Sequence, residues 1–175
     1  EKQIIGKTTF FSAVDGLHRA SYVNAKEVHL EMKNVSDFKE FAGAVITDTG
    51  SPHYVSEVED VHAIEVKKEG AAVRYSDPFM PNGINVNFVT KENPTHFQIR
   101  TYERGVENET LACGTGAVAV ALAMHFKGET AGAKEVHIQA LGGDLKVSFD
   151  EDQGIYSNIF LIGPAMHVFS GRIKL

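Results

Sequence analysis

The run Gly114-Thr115-Gly116-Ala117-Val118-Ala119-Val120-Ala121-Leu122-Ala123-Met124 admits few folds. Small and aliphatic residues follow one another with no polar stripe, so the run predicts a helix buried on most of its faces. Such a helix has to be surrounded, and what the chain has available to surround it is a curved antiparallel sheet. The rest of the sequence supplies about ten short strands, each rich in β-branched or aromatic residues and bounded by turn residues. The expected fold is α+β, a mostly antiparallel β-sheet curved into a barrel-like wrap around a central apolar helix.

The strands can be placed along the chain. Thr8–Val14, Leu17–Val23 and Glu27–Met32 read as an antiparallel meander, with Asp15-Gly16 suited to the first tight turn. Residues 33–43 are polar and irregular, with Ser36 placed to cap a short helical turn, and they mark a boundary between two lobes. Ala44–Thr49 and Tyr54–Val58 read as strands flanking Gly50-Ser51-Pro52-His53. A short helix interrupted by Gly70 follows over Ile64–Tyr75. Ile84-Asn85-Val86-Asn87-Phe88-Val89 alternates with a period of two, which puts Asn85 and Asn87 on one face of a strand. Phe97–Glu103 is another strand, and a loop from Arg104 to Ala112 leads to the helix. Beyond Lys127-Gly128 the strands are Glu135–Ala140, Leu145–Phe149, Tyr156–Leu161 and Met166–Leu175, with turns at Gly142-Gly143-Asp144 and Asp152-Gln153-Gly154.

Cys113, the single cysteine, directly precedes the apolar helix. The first turn of a helix carries unpaired N–H groups and about half a positive charge, which favour thiolate over thiol. A lone cysteine is more often a small buried hydrophobe. Here the Gly114-Thr115-Gly116 that follows it and the Glu103-Arg104 pair before it reverse those odds, and the two glycines, without a Cβ, let a carboxylate or phosphate approach the N–H groups. The expectation is a reactive sulfur beside an anion cradle.

The run Tyr102-Glu103-Arg104-Gly105-Val106 through Glu109-Thr110-Leu111-Ala112-Cys113-Gly114-Thr115-Gly116-Ala117 resembles the second active-site signature of diaminopimelate epimerases, the pyridoxal-independent, two-thiol amino-acid epimerases. The likeness extends through Thr49-Gly50-Ser51-Pro52-His53 and Gly83–Val89, and covers what looks like the C-terminal part of such an enzyme. The resemblance implies two similar lobes with the active site in the cleft between them. Residues 1–32 would be the tail end of an N-terminal lobe, 33–163 the C-terminal epimerase lobe, and 164–175 a last strand returning to the first lobe. A chain that opens at Glu1 agrees with sequence missing before it.

The resemblance also implies roles. Cys113 would be one of two acid–base thiols, the other lying in the N-terminal lobe, and His53 and Glu103 would tune their ionisation. Arg104 and Asn85 would hold the distal carboxylate of diaminopimelate, and the N–H groups of Gly114 and Thr115 the carboxylate at the reacting carbon. Guanidinium and amide groups suit that task because they donate paired hydrogen bonds. Ser51 stands where the family commonly has asparagine, keeping a hydroxyl but losing the amide's reach. The loop Val106-Glu107-Asn108-Glu109-Thr110 is one residue longer than the usual pattern.

Other classes fit less well. A net charge of −6, from 17 basic and 23 acidic residues with no basic run, argues against a nucleic-acid partner or a polybasic membrane contact. No apolar run approaches the roughly 20 residues that cross a bilayer, which points to a cytoplasmic protein; its expected partner is a small-molecule substrate, with a homodimer left open. The histidines have no metal-binding spacing, so no metal is expected, and the resemblance implies no cofactor. Gly114-Thr115-Gly116-Ala117-Val118-Ala119 fits a dinucleotide fingerprint but does not directly follow a strand. The alternatives that stay open are a proline racemase-like isomerase acting on another amino acid, and a non-catalytic interaction domain with an inert cysteine.

Overall fold

The computed structural model describes residues 6–24 and 27–173. Its strands are β1 (Thr8–Ala13), β2 (Gly16–Asn24), β3 (Glu27–Glu31), β4 (Phe38–Phe41), β5 (Ala44–Asp48) and β6 (Pro52–Glu57), then β7 (Asn85–Asn93), β8 (His96–Glu103), β9 (Asn108–Thr110), β10 (Glu135–Ala140), β11 (Gly143–Asp152) and β12 (Ile155–Gly163). Helix α1 (Val66–Arg74) lies between β6 and β7, and α2 (Gly114–Phe126) between β9 and β10. All strands join one 12-stranded sheet in the order β1-β2-β3-β12-β11-β10-β8-β7-β6-β5-β4, with β9 paired to β8. Most pairs are antiparallel. The exceptions, β6 with β7 and β8 with β10, are the pairs whose connection runs through a helix, as a parallel pair requires.

Helix α2 packs on β5, β6 and β7 and also on β10, β11 and β12, so the sheet bends around it from two flanks. Every residue from Ala117 to Met124 has 0% exposure. Burial of side chains such as Leu122 and Met124 contributes about 1.5–3 kcal/mol each, which is why a helix with no polar face settles here. The wrap forms as expected, but the barrel does not. The sheet ends at β1 and β4, which do not pair with each other, and a barrel requires its end strands to meet in register. The fold is therefore α+β with an open, curved, mixed sheet.

Helix α1 covers the other side of β7, β8 and β9. Strand β7 consequently has core on both faces. Val86 and Phe88 belong to the cluster under α1, while Val89, two residues from Asn87, joins the cluster around α2. Asn85 and Asn87 thus face α2 and are buried, at 4% and 0% exposure. A polar strand face that could have been a solvated one lies in the interior.

Several local expectations are corrected. The first hairpin turns on Val14-Asp15, with Gly16 already paired to Ala13. Ser36 caps no helix; β4 occupies that region and Val35 bridges Tyr156. Gly70 does not interrupt α1 but sits inside it, where a Cβ would run into the Tyr102 side chain. The segment before α2 is not simply a loop, because β9 pairs antiparallel with the end of β8. The turn between β10 and β11 is Leu141-Gly142, since Gly143 pairs with Ala140. No strand forms over residues 166–173, and the final two residues of that expected strand lie outside the described residues. Met166, Val168 and Phe169 are exposed there, so no sheet edge or core claims them.

Candidate active site

Cys113 is the N-cap of α2, with extended φ and ψ of −126° and 111°, and its carbonyl accepts the first helical hydrogen bond from Ala117 N–H at 2.9 Å. The residue is 8% exposed. Its Sγ lies 3.5 Å from Thr115 Oγ1. The helix start acts on the sulfur as expected, since hydrogen bonds from Thr115 and Gly116 favour the thiolate. Burial opposes them and prevails, and the negative charge of Glu103 adds to it, so the thiol is held above its ordinary pKa. The expectation of an acidified thiol is reversed in sign.

Gly116 is required by the packing. A Cβ there would meet Asn87 Oδ1 at 2.6 Å and the Cys113 sulfur at 3.3 Å. The glycine lets β7 press an asparagine against the first turn of α2.

His53, at the start of β6, has 0% exposure. Its Nε2 is 2.9 Å from Thr115 Oγ1 and its Nδ1 is 3.1 Å from Asn87 Nδ2. Burial lowers its pKa to about 3, which leaves the ring neutral at any ordinary pH. Thr115 is also anchored through its main chain, whose carbonyl accepts from Thr49 Oγ1 at 2.8 Å. Cys113, Thr115, His53 and Asn87 therefore form one hydrogen-bonded row across α2, β6 and β7.

A second group lies beside it. Asn85 is the register partner of His53, and its Nδ2 donates to Ser51 Oγ at 2.8 Å and to the Pro52 carbonyl at 3.0 Å. Its Oδ1 accepts from the main-chain N–H of Arg104 at 2.9 Å. The Arg104 guanidinium reaches Ser51 Oγ at 3.4 Å and the Asn82 carbonyl at 3.2 Å. The amide of Asn85 is thus fully engaged within the protein, and the group with unspent donors is Arg104. The charge of Arg104 is felt at His53, where it helps disfavour the imidazolium.

Glu103 and Arg104 are adjacent but do not continue an extended strand. The chain turns at Gly105, with φ of +94°, and Glu107 N–H bonds back to the Glu103 carbonyl at 2.8 Å. The carboxylate of Glu107, in the longer loop, is held by Gly105 N–H at 3.0 Å and by the hydroxyls of Tyr102 and Tyr75 at 2.9 and 3.0 Å. The loop is therefore a braced hairpin. Among the described residues the Glu103 carboxylate has no hydrogen-bond or ion-pair partner, and it acts on Cys113 through its charge.

The structure brings Cys113, Thr115 and His53 together, and Ser51, Asn85 and Arg104 together, on neighbouring parts of α2, β6, β7 and the β8–β9 turn. Asn87 and Thr49 are additional members that sequence reasoning missed. For Asn87 a signal existed, because it shares a strand face with Asn85. Among the described residues no group of three metal-ligating side chains gathers anywhere. A hollow of about 330 Å³, lined by residues including Val61, Arg100 and Gln139, contains none of the site residues.

Residues 45–168 match the diaminopimelate epimerase family. The diaminopimelate epimerase of Flavobacterium psychrophilum is 47% identical over 170 residues, which is 97% of this chain and 66% of that protein. That of Aquifex aeolicus is 39% identical over 185 residues, covering 99% of this chain and 64% of that protein. The chain thus spans just under two thirds of the length of these relatives. Among solved structures, a hydroxyproline epimerase from Agrobacterium vitis is similar at a TM-score of 0.65 and 15% identity, over 93% of this chain and 58% of that one. A probable proline racemase from Agrobacterium radiobacter is similar at 0.65 and 14%, over 99% and 62%. At such identities the likeness is one of fold.

Proposed function

Because the chain belongs to the diaminopimelate epimerase family, we propose that it supplies one of the two thiols of a cofactor-independent enzyme that inverts the α-carbon of LL-diaminopimelate to the meso form. The observation that carries this reading is Cys113 at the N-cap of α2, 3.5 Å from Thr115 Oγ1, which a neutral, buried His53 contacts in turn at 2.9 Å. Epimerisation needs two bases on opposite faces of one carbon. One thiolate takes the α-proton and leaves the electron pair on the carbon. The other thiol gives its proton to the far face, so the C–H bond re-forms with the opposite configuration and the charge ends on the donating sulfur. A thiol held protonated by burial suits Cys113 to the donor role in the first half of a turnover. The second thiol has to come from outside this sequence, whose single cysteine is Cys113.

The first N–H groups of α2, at Gly114 and Thr115, would take the carboxylate at the reacting carbon. Arg104, with Ser51 and Asn85 behind it, would take the distal one, and a guanidinium in that place favours a dicarboxylate over proline. Glu103 and His53 would set the electrostatics of the sulfur. The exposed apolar residues of β1, β2 and the last segment, such as Phe10, Leu17 and Phe169, support assigning residues 1–32 and 164–175 to the other lobe, with 33–163 as the epimerase lobe. The reading places the protein in lysine and peptidoglycan precursor biosynthesis, in the cytoplasm, with a homodimer left open. Among the described residues no helix is long and apolar enough to cross a membrane.

The test measures α-proton exchange with deuterated solvent and net epimerisation of LL-diaminopimelate, in the 175-residue chain and in a full-length protein. The chain alone is expected to be inactive and the full-length protein active. In the latter, Cys113→Ser should abolish most turnover while leaving the circular dichroism spectrum intact. Appreciable two-directional turnover by the chain alone, or by Cys113→Ser, overturns the two-thiol account.

A further inference from the structure

We propose that Asn87 is a positioning residue that decides which nitrogen of His53 carries the proton, and thereby whether Thr115 presents the Cys113 sulfur with a hydrogen-bond donor or an acceptor. An asparagine amide can sit in either of two orientations, and the neighbours choose between them. One end of the Asn87 amide lies 3.2 Å from the Tyr54 carbonyl, which can only accept. That end must be the NH2 group. The other end, the oxygen, accepts from Thr101 Oγ1 at 3.0 Å. With two protons available, the NH2 group donates one to Tyr54 and the other to His53 Nδ1 at 3.1 Å.

The remaining assignments follow in sequence. Nδ1 accepts, so the single ring proton of the neutral imidazole sits on Nε2 and is donated to Thr115 Oγ1 at 2.9 Å. Thr115 has then used a lone pair toward His53, and its own proton turns to its remaining side-chain partner, the Cys113 sulfur at 3.5 Å. In the opposite tautomer the bare Nε2 would claim the threonine proton, and the sulfur would face a lone pair. The side-chain hydrogen bonds of Asn87 go to His53, Tyr54 and Thr101 and not to the sulfur, and it is buried completely, yet it orients this row through His53. The consequence rests on the epimerase reading only in that it makes the Cys113 thiolate, formed when the proton has been given up, the state the row stabilises.

The experiment uses the full-length protein with heavy-nitrogen-labelled histidine. Nuclear magnetic resonance of the ring nitrogens reports the tautomer of His53, and the pH dependence of Cys113 alkylation reports the thiol midpoint. The wild type is expected to carry its proton on Nε2. Asn87→Asp replaces the donor by an acceptor, so a proton should appear on Nδ1 and the alkylation midpoint should rise. Thr115→Val, which is nearly isosteric, should raise the midpoint by about one pH unit through loss of one hydrogen bond while leaving the tautomer unchanged. A proton on Nδ1 in the wild type, an unchanged tautomer in Asn87→Asp, or an unmoved midpoint in Thr115→Val overturns the proposal. If Asn87→Asp does not fold, the wild-type tautomer and Thr115→Val decide it. No readout needs substrate, so failure of the wild type to exchange the diaminopimelate α-proton would sink the epimerase reading and leave the hydrogen-bonded row standing.

Discussion

Replacing Gly116 by alanine sets helix propensity against packing, and the two predict opposite signs. Gly116 lies in the first turn of α2 with ordinary helical backbone, so alanine there brings no φ strain and on propensity alone stabilises by about 1 kcal/mol. The new Cβ would stand 2.6 Å from Asn87 Oδ1, where ordinary contact begins at 3.4 Å, and 3.2 Å from the Cys113 Cβ. Asn87 has no free direction in which to retreat, being held by Thr101, Tyr54 and His53. Overpacking costs about 1–3 kcal/mol, and losing a buried hydrogen bond costs a similar amount. After the propensity gain the net loss is about 2 kcal/mol, which for a chain of this size lowers the melting temperature by about 4–8 °C. Thermal unfolding followed by circular dichroism, paired with a urea midpoint, measures it. A Gly116→Ala protein as stable as the wild type, or more so, refutes the close approach of β7 to α2 on which the site geometry depends.

Three further outcomes are expected. Leu122→Ala, in the middle of α2 with no exposed surface, should cost about 2–5 kcal/mol by equilibrium urea unfolding, and a loss under 1 kcal/mol would contradict the enclosed helix. His53 is held neutral by burial, its pKa falling from 6.5 to about 3, so between those values the unfolded chain binds a proton that the folded one does not. Its neutral-state stability is therefore complete above pH 6.5 and lost progressively as the pH falls toward 3, and His53→Gln should flatten that part of the profile of urea midpoint against pH. Arg100 grips Glu109 with hydrogen bonds of 2.6 and 2.7 Å and also donates to the Val61 and Ile64 carbonyls. Arg100→Lys loses that planar fork and should cost about 1–3 kcal/mol, with β9 amides exchanging faster with solvent.

Much of the site was legible in the chain because its signals are local. Cys113 followed by Gly-Thr-Gly and an all-apolar run announces a thiol at the start of an enclosed helix, and the resemblance of residues 102–117 to a long signature points to the family that the comparisons show. Strand patterning located β3, β5, β8 and β10 to within a few residues. What failed was mostly the meaning of polar and terminal segments. Residues 33–43 hold β4, and residues 166–173 hold no strand, because strand formation depends on a partner edge that the sequence of the segment does not describe. Asn85 and Asn87 were visibly on one face, but only α2 packing on that face, with α1 covering the opposite one, makes it interior.

The sequence by itself determined that a helix with no polar stripe would be enclosed, that a single sulfur would stand at its first turn, and which family the chain belongs to. These follow from the order of residues, since helix periodicity and N-terminal position are set within a few peptide units. Tertiary structure alone decided that the sheet stays open and that burial outweighs the helix start in setting the ionisation of Cys113. It alone also decided that Asn87 meets His53. Dielectric and hydrogen-bond partners are supplied by atoms from strands distant in sequence, and their balance depends on distances that no local pattern encodes.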